Sequence, residues 1–279
     1  MIIVTGATGA LNGATVDHLL ERLPASDITV VTRDPAKAER FAQRGVEVRR
    51  GDYAEPGSLP AAFAGADQLL LVSSNDPTAD ATTLHRTAVE AAVEAGVKRI
   101  LYTSHQAAAP DNPFAPGRTH FATEQLLAAS GTPWVSLRNG FYAHSLQWLA
   151  GPWQETGVIA VPGDGPVSWT AREDAAEAAA VILSSEGAYE GPVTITAPAA
   201  PTFAELADVA SERAGRTIRF QLMDEADWIA ARQSDPRAQF LLGFYRAARG
   251  GFFAGVDPLL GELLGRQPRT ASEALRGGS

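Results

Sequence analysis

Thr5-Gly6-Ala7-Thr8-Gly9-Ala10-Leu11-Asn12-Gly13 follows directly on Met1-Ile2-Ile3-Val4 and runs into a helix-like stretch over Gly13–Arg22. An apolar strand, a glycine-rich turn and a helix, in that order, is the context in which such a turn binds a dinucleotide. Gly6 would allow the tight turn. Gly9 would let the backbone approach a pyrophosphate seated at the helix N-terminus, where free N–H groups and the helix dipole meet its charge. The other reading is a tight turn that binds nothing. One position departs from the usual spacing, because the third glycine would fall at 12, where the chain has Asn12, with Gly13 beside it. That glycine ordinarily lets helix and strand pack closely. Asparagine tolerates unusual backbone angles, so the expectation is a turn that survives, with its cofactor affinity left open.

Outward from this turn, short apolar runs alternate with helical segments. Strands are expected at Ile28–Thr32, Val46–Arg49, Gln68–Val72, Arg99–Thr103 and Trp134–Leu137, with helices over Thr82–Ala95 and Thr119–Ala129. Strands alternating with helices and apolar along their length imply a parallel sheet covered on both faces. The pattern loosens after residue 150 at Pro152, Pro162, Gly163, Gly165 and Pro166, then resumes with a helix at Glu173–Leu183 and a strand at Val193–Thr196. Thr202-Phe203-Ala204-Glu205 is a capping box that opens another helix. The expected fold is therefore an α/β doubly wound parallel sheet of the Rossmann type with a small C-terminal substrate lobe. Residues 1–153 form the dinucleotide-binding core, 171–198 return to it, and 154–170 with 199–279 form the lobe.

The 279 residues suffice for one large domain or a domain with a lobe. The net charge of −9 gives no basic excess to meet nucleic-acid or membrane phosphates. The absence of cysteine excludes disulfides, thiol catalysis and Cys-based metal sites. The five histidines are scattered without helical zinc-site spacing, so no metal is expected. No signal peptide or spanning segment is read, and the expected compartment is the cytoplasm.

The second strand ends at Thr32-Arg33-Asp34. An NAD enzyme usually places an acid there, whereas an arginine accommodates the 2′-phosphate of NADP. Arg33, followed by Lys37 a helical turn on, favours NADP(H), although a solvated surface cation is the plainer alternative. Asp34 reads as the N-cap before Pro35.

The segments TGATGAL (5–11), VTRDPAKA (31–38), Gly51-Asp52-Tyr53, LLLVSS (69–74), AGVKRILYTS (95–104), LRNGFY (137–142) and TFAELA (202–207) together resemble the NmrA-like group of atypical short-chain dehydrogenases. The nearest subgroup is the bacterial NADPH-dependent quinone reductases. The resemblance covers most of the chain. It implies cofactor contacts at Gly6, Ala7, Thr8, Gly9, Ala10, Leu11, Arg33, Ser73 and Ser74, with Asp52 and Tyr53 in the same group. It also implies a nicotinamide-side loop at Asn139, Gly140, Phe141 and Tyr142. Thr103 and Ser104 close the fifth strand, where ligands of an open α/β sheet gather. Phe141 and Tyr142 are candidates to stack on a flat substrate, or else form an apolar seam.

Ordinary short-chain dehydrogenases use a Tyr with a Lys four residues on, the Lys lowering the Tyr pKa. The only lysines are Lys37 and Lys98, and four residues past the tyrosines stand Gly57, Gln106, Leu146, Val193 and Arg249. No such pair exists, and Tyr102 reads as a sheet-packing residue. His120 matches a His of the quinone-reductase pattern, with two readings open: proton donor to product oxygen, or helix-surface side chain. Reducing a ketone makes an alkoxide, whose basicity is near that of hydroxide (water pKa ~15.7). Reducing a quinone makes a phenolate with a pKa near ~10, which needs less help from a positioned acid. The expected activity is NADPH-dependent hydride transfer to a quinone or similar conjugated carbonyl compound, with His120 and Tyr142 as catalytic candidates. The alternatives are an NADP-binding redox sensor without catalysis and a divergent biosynthetic reductase. The expected partner is a small molecule, with neither nucleic acid nor membrane; the oligomeric state is open, a homodimer being one candidate.

Overall fold

The computed structural model describes residues 1–76, 78–185 and 187–274. Among the described residues nine strands follow in chain order: β1 (Ile2–Thr5), β2 (Ile28–Thr32), β3 (Glu47–Arg50), β4 (Gln68–Leu71), β5 (Arg99–His105), β6 (Trp134–Asn139), β7 (Val158–Val161), β8 (Gly191–Ile195) and β9 (Arg219–Leu222). Seven of them form one sheet in the order β3-β2-β1-β4-β5-β6-β8. β1 is parallel to β2 and β4, with Ile2 opposite both Ile28 and Gln68, and β2–β3 and β4–β5 are parallel as well. The chain moves outward from β1 to β3, then crosses to β4 and moves the other way. That reversal beside β1 creates the crevice where sheets of this class hold ligands.

Burial follows position in the sheet. Every residue of β1 and β2 is buried. β3, at the edge, is Glu47-Val48-Arg49-Arg50, and neither end of it is buried. Its charges blunt an edge that would otherwise offer unpaired backbone to another strand. Arg49 bridges Glu47 at 2.8 Å and donates to the Ala64 carbonyl.

By backbone contacts the chain falls into two compact units. The first comprises the described parts of residues 1–104, 119–138 and 175–193, and the second those of 105–118, 139–174 and 194–279. Two of the divisions, after Ser104 and Arg138, fall one residue before strand ends, whereas the sequence pattern places its boundary at 153. The first unit's core joins Ile3, Leu69, Leu71, Ile100 and Tyr102 of the sheet to Leu59, Phe63, Ala88, Ala92 and Leu127 of the helices.

The second unit has its own core, rich in aromatic side chains: Phe141, Trp169, Phe203, Trp228, Phe244 and Phe253 among them. It contains the parallel pair β7–β9 and the helices Phe203–Ala214 and Ala238–Arg249. The capping box forms as the sequence suggests: Thr202 Oγ1 accepts from the Glu205 amide at 3.2 Å, and Glu205 Oε2 accepts from the Thr202 amide at 2.8 Å. Fully buried Asp174 ties down the chain near 266–269, accepting from Arg266 at 3.0 Å and from the Arg269 amide at 2.6 Å. Among the described residues no helix is long and apolar enough to cross a membrane.

Candidate functional site

The turn after β1 has the geometry its glycines suggest. Gly6 has φ +63°, and a Cβ there would lie 2.6 Å from Val72 Cγ1, so both backbone and space require glycine. The Gly9 amide closes the turn on the Gly6 carbonyl at 2.9 Å. The helix Ala10–Leu20 begins immediately after Gly9, three residues earlier than the sequence pattern places it. No side chain caps it and no acid lies in its first turn, while Thr8, Gly9 and Ala10 are exposed. Its N-terminal charge therefore faces outward unneutralised, which suits an anion.

Asn12 points inward. It is 1% exposed, its Nδ2 donates to the Thr5 carbonyl at 2.8 Å, and its Oδ1 has no partner. Close packing is met one residue later: a Cβ at Gly13 would stand 2.8 Å from both the Ala7 carbonyl oxygen and Arg40 Nη2. The displaced glycine thus serves the packing role, and Asn12 pins the helix to the end of β1.

Arg33 is exposed just beyond β2 and makes no hydrogen bond or ion pair among the described residues. Hydrogen bonds from Thr78, its hydroxyl first, hold the Asp76 carboxyl below its ordinary range, and the positive charge of Arg33 adds to this. Asp34 caps the next turn through the Ala36 amide and pairs with Lys37 at 3.8 Å, so Lys37 is partly neutralised. Asp52 accepts from the Ala54 amide at 3.0 Å. The Tyr53 hydroxyl bonds to Thr5 Oγ1 at 2.7 Å and to the Val72 carbonyl at 3.2 Å. It locks β1 to β4, and burial pushes its pKa up.

Besides Tyr53, three side chains from elsewhere in the chain bond to the backbone of the loop after β4. The Val72 amide donates to Thr5 Oγ1 at 2.8 Å, the Ser73 amide to Thr103 Oγ1 at 2.8 Å, and the Ser74 amide to His85 Nε2 at 2.7 Å. His85 was not read from the sequence as a site residue. The signal was available, since His85, Ala88, Val89 and Ala92 share the buried face of the helix Ala81–Glu94. Burial lowers its pKa to about 4. Its Nδ1 meets Thr123 Oγ1 at 2.8 Å and lies 3.4 Å from the Tyr102 hydroxyl, which in turn lies 2.9 Å from His120 Nδ1. Tyr102 is fully buried, as its sheet-packing reading requires, but its hydroxyl joins a polar line to His120, which is half-buried. Ser104 donates into buried Glu124 at 2.8 Å, as do Ser136 at 2.6 Å and Arg138 Nε at 3.0 Å. That cluster is saturated and joins β5, β6 and the helix Ala115–Ala129.

In the second unit, Asn139 Nδ2 donates to the Tyr142 hydroxyl at 3.3 Å. Burial pushes the Tyr142 pKa up to about 12, so the phenol stays protonated. Arg172 lies 5.8 Å over the Tyr142 ring and contacts His144. A Cβ at Gly140 would fall 2.1 Å from Thr170 Oγ1, so that position too is closed to a side chain. Phe141 is buried against Phe244, Phe253 and Trp169, with centroids 4.6, 5.4 and 5.7 Å away. His105, just beyond the expected strand Arg99–Thr103, sits among Phe141, Phe253 and Phe114 at 5.5, 5.5 and 6.4 Å. Burial lowers its pKa to about 4. Among the described residues no group of three or more His, Asp or Glu could hold a metal ion.

The sequence model of the NmrA-like family matches residues 1–230. Quinone oxidoreductase 2 of Escherichia coli (strain K12) is 36% identical over 284 residues, covering 99% of this chain and 97% of that protein. The crystal structure of the NADPH-dependent quinone oxidoreductase of Escherichia coli complexed with NADPH superposes with a TM-score of 0.91 at 34% identity, covering 99% of each chain. The triphenylmethane reductase of Citrobacter sp. complexed with NADP(H) superposes with a TM-score of 0.88 at 32% identity, over 100% of each chain.

Proposed function

Because the chain belongs to the NmrA-like family, we propose that it is an NADPH-dependent oxidoreductase acting on a quinone or similarly conjugated carbonyl compound. The observation that carries the cofactor assignment is Arg33, an exposed guanidinium without an ion-pair partner among the described residues, beyond the strand next to an uncapped helix N-terminus. The residues fit the group. Gly6 to Leu11 receive the pyrophosphate, and Arg33, with help from Lys37, receives the 2′-phosphate. Asp52, Ser73, Ser74, Asn139 and Gly140 complete the contacts. Tyr53, Thr103 and Ser104, whose hydroxyls hold strand ends together, act by shaping this surface.

When bound, NADPH supplies the hydride. The chain's own part is to orient, to donate hydrogen bonds and to deliver one proton. His120 gives that proton to the product oxygen, imidazole being the side chain most often used for such transfers. Tyr142 stays protonated and donates a hydrogen bond, and Phe141, packed in the aromatic core of the second unit, anchors the loop that carries them both. In domain terms, the first unit is the dinucleotide-binding core and the second supplies the substrate contacts. The reading takes the cytoplasm as compartment and a small molecule as partner.

The test follows the absorbance of the reduced nicotinamide against benzoquinones, naphthoquinones and unactivated ketones. Quinones should be turned over and ketones poorly reduced. His120→Ala should lower the quinone rate by about a hundredfold, the low end of general acid catalysis. Tight NADPH binding without turnover of any acceptor would replace this reading with that of a sensor.

A further inference from the structure

Building on the reading of His120 as proton donor, we propose that the Ser74 backbone amide, acting through His85 and Tyr102, holds His120 in the tautomer that carries its proton on Nε2. A backbone amide can only donate. The Ser74 amide lies 2.7 Å from His85 Nε2, which must therefore accept. His85 is fully buried and stays neutral near neutral pH, its pKa lowered to about 4, so its one proton is on Nδ1.

That Nδ1–H donates to Thr123 Oγ1 at 2.8 Å, and the Thr123 hydroxyl proton goes on to the Thr119 carbonyl at 2.9 Å. The Tyr102 hydroxyl, 3.4 Å from the same Nδ1, meets a hydrogen there and not a lone pair. Its own proton turns to its nearest partner, His120 Nδ1 at 2.9 Å. A neutral His120 that accepts at Nδ1 bears its proton on Nε2. Tyr102 and His85 are thus positioning residues for the proton donor, and the loop that lies against the cofactor-binding turn sets which ring nitrogen donates. The competing arrangement has Tyr102 turned toward Thr123 and His120 donating from Nδ1.

The two are separated by long-range proton–nitrogen correlation spectra of the full chain labelled with 15N-histidine, assigned with His85→Gln and His120→Gln. In the wild type His85 should show a pyrrole-type Nδ1 and a pyridine-type Nε2, and His120 the reverse. Tyr102→Phe should shift His120 Nδ1 away from its pyridine-type position and leave His85 unchanged. His85→Gln, which still offers Ser74 an acceptor and Tyr102 a donor, should retain the His120 pattern, and His85→Leu should release it. A pyrrole-type Nδ1 on wild-type His120 overturns the proposal even where the Tyr102 variant does not fold. So does a His120 signal indifferent to Tyr102→Phe. No turnover enters the measurement, so a failure of the quinone reading and a failure of this one are told apart.

Discussion

Arg33→Ala should separate the two nicotinamide cofactors. In the structure Arg33 is exposed, has no ion-pair partner among the described residues, and is followed by a single lysine already paired with Asp34 at 3.8 Å. A charge-assisted hydrogen bond to phosphate is worth about 1.5–3 kcal/mol. Exposure places the contact at the low end, because charges in solvent are screened over a Debye length of about 8 Å at physiological salt. The expected loss for NADPH is therefore about 1.4 kcal/mol, or roughly tenfold in Kd, while NADH, which lacks the phosphate, should change by less than about twofold. Titration calorimetry of wild type and variant with both cofactors, repeated at low and high salt, reads the effect directly. The discrimination should grow as salt is lowered. Equal affinity of the wild type for both cofactors would refute the assignment. An equal loss for both in the variant would show that Arg33 supports the fold of the turn and does not read the phosphate.

Two further perturbations follow from the same unit. Gly13→Ala should destabilise the protein by about 1–3 kcal/mol, read as a lowered unfolding midpoint, since its Cβ would meet the Ala7 carbonyl at 2.8 Å; an unchanged midpoint would show that the turn yields without cost. Buried His85 has a folded pKa of about 4 against about 6.5 unfolded, so its contribution is fully present above pH 6.5 and is lost as pH falls toward 4, by up to about 3 kcal/mol. Denaturant midpoints across that window should fall with pH in the wild type and fall less in His85→Gln; parallel slopes would refute the assignment to this ring.

Local features are legible in the sequence because their meaning depends on neighbours in sequence. The turn at Gly6 and Gly9, the cap at Asp34 and the capping box at Thr202 all formed where the spacing places them. Asn12 was harder. Its spacing marks it as a departure, but what its side chain does depends on the Thr5 carbonyl, and the room at Gly13 depends on Arg40, which arrives from beyond β2. His85 lies on a face that the helix period exposes as apolar, yet its partner is an amide in the loop after another strand. His105 carries no signal in its own stretch of sequence, since the phenylalanines around it come from positions 114, 141 and 253.

Tyr102 has a role that its sequence neighbours do not reveal. The test at four residues on finds Gln106 and correctly denies the phenol a neighbouring lysine. Burial then drives the Tyr102 pKa upward, the opposite of what that lysine would do. A phenol in that state holds its proton and serves as a fixed hydrogen-bond donor, here toward His120 at 2.9 Å. Proton delivery is left to the Nε2 hydrogen of the His120 imidazole. A phenolate product, with a pKa near ~10, can take that proton after the hydride has passed. An alkoxide is far more basic still, but in ketone reduction that basicity must develop in the transition state, where a tuned acid is needed most. The arrangement around Tyr102 suits acceptors that take the hydride readily and need their proton late. On that ground quinones should outpace ketones, and Tyr102→Phe should alter the tautomer of His120 more than it alters the hydride step.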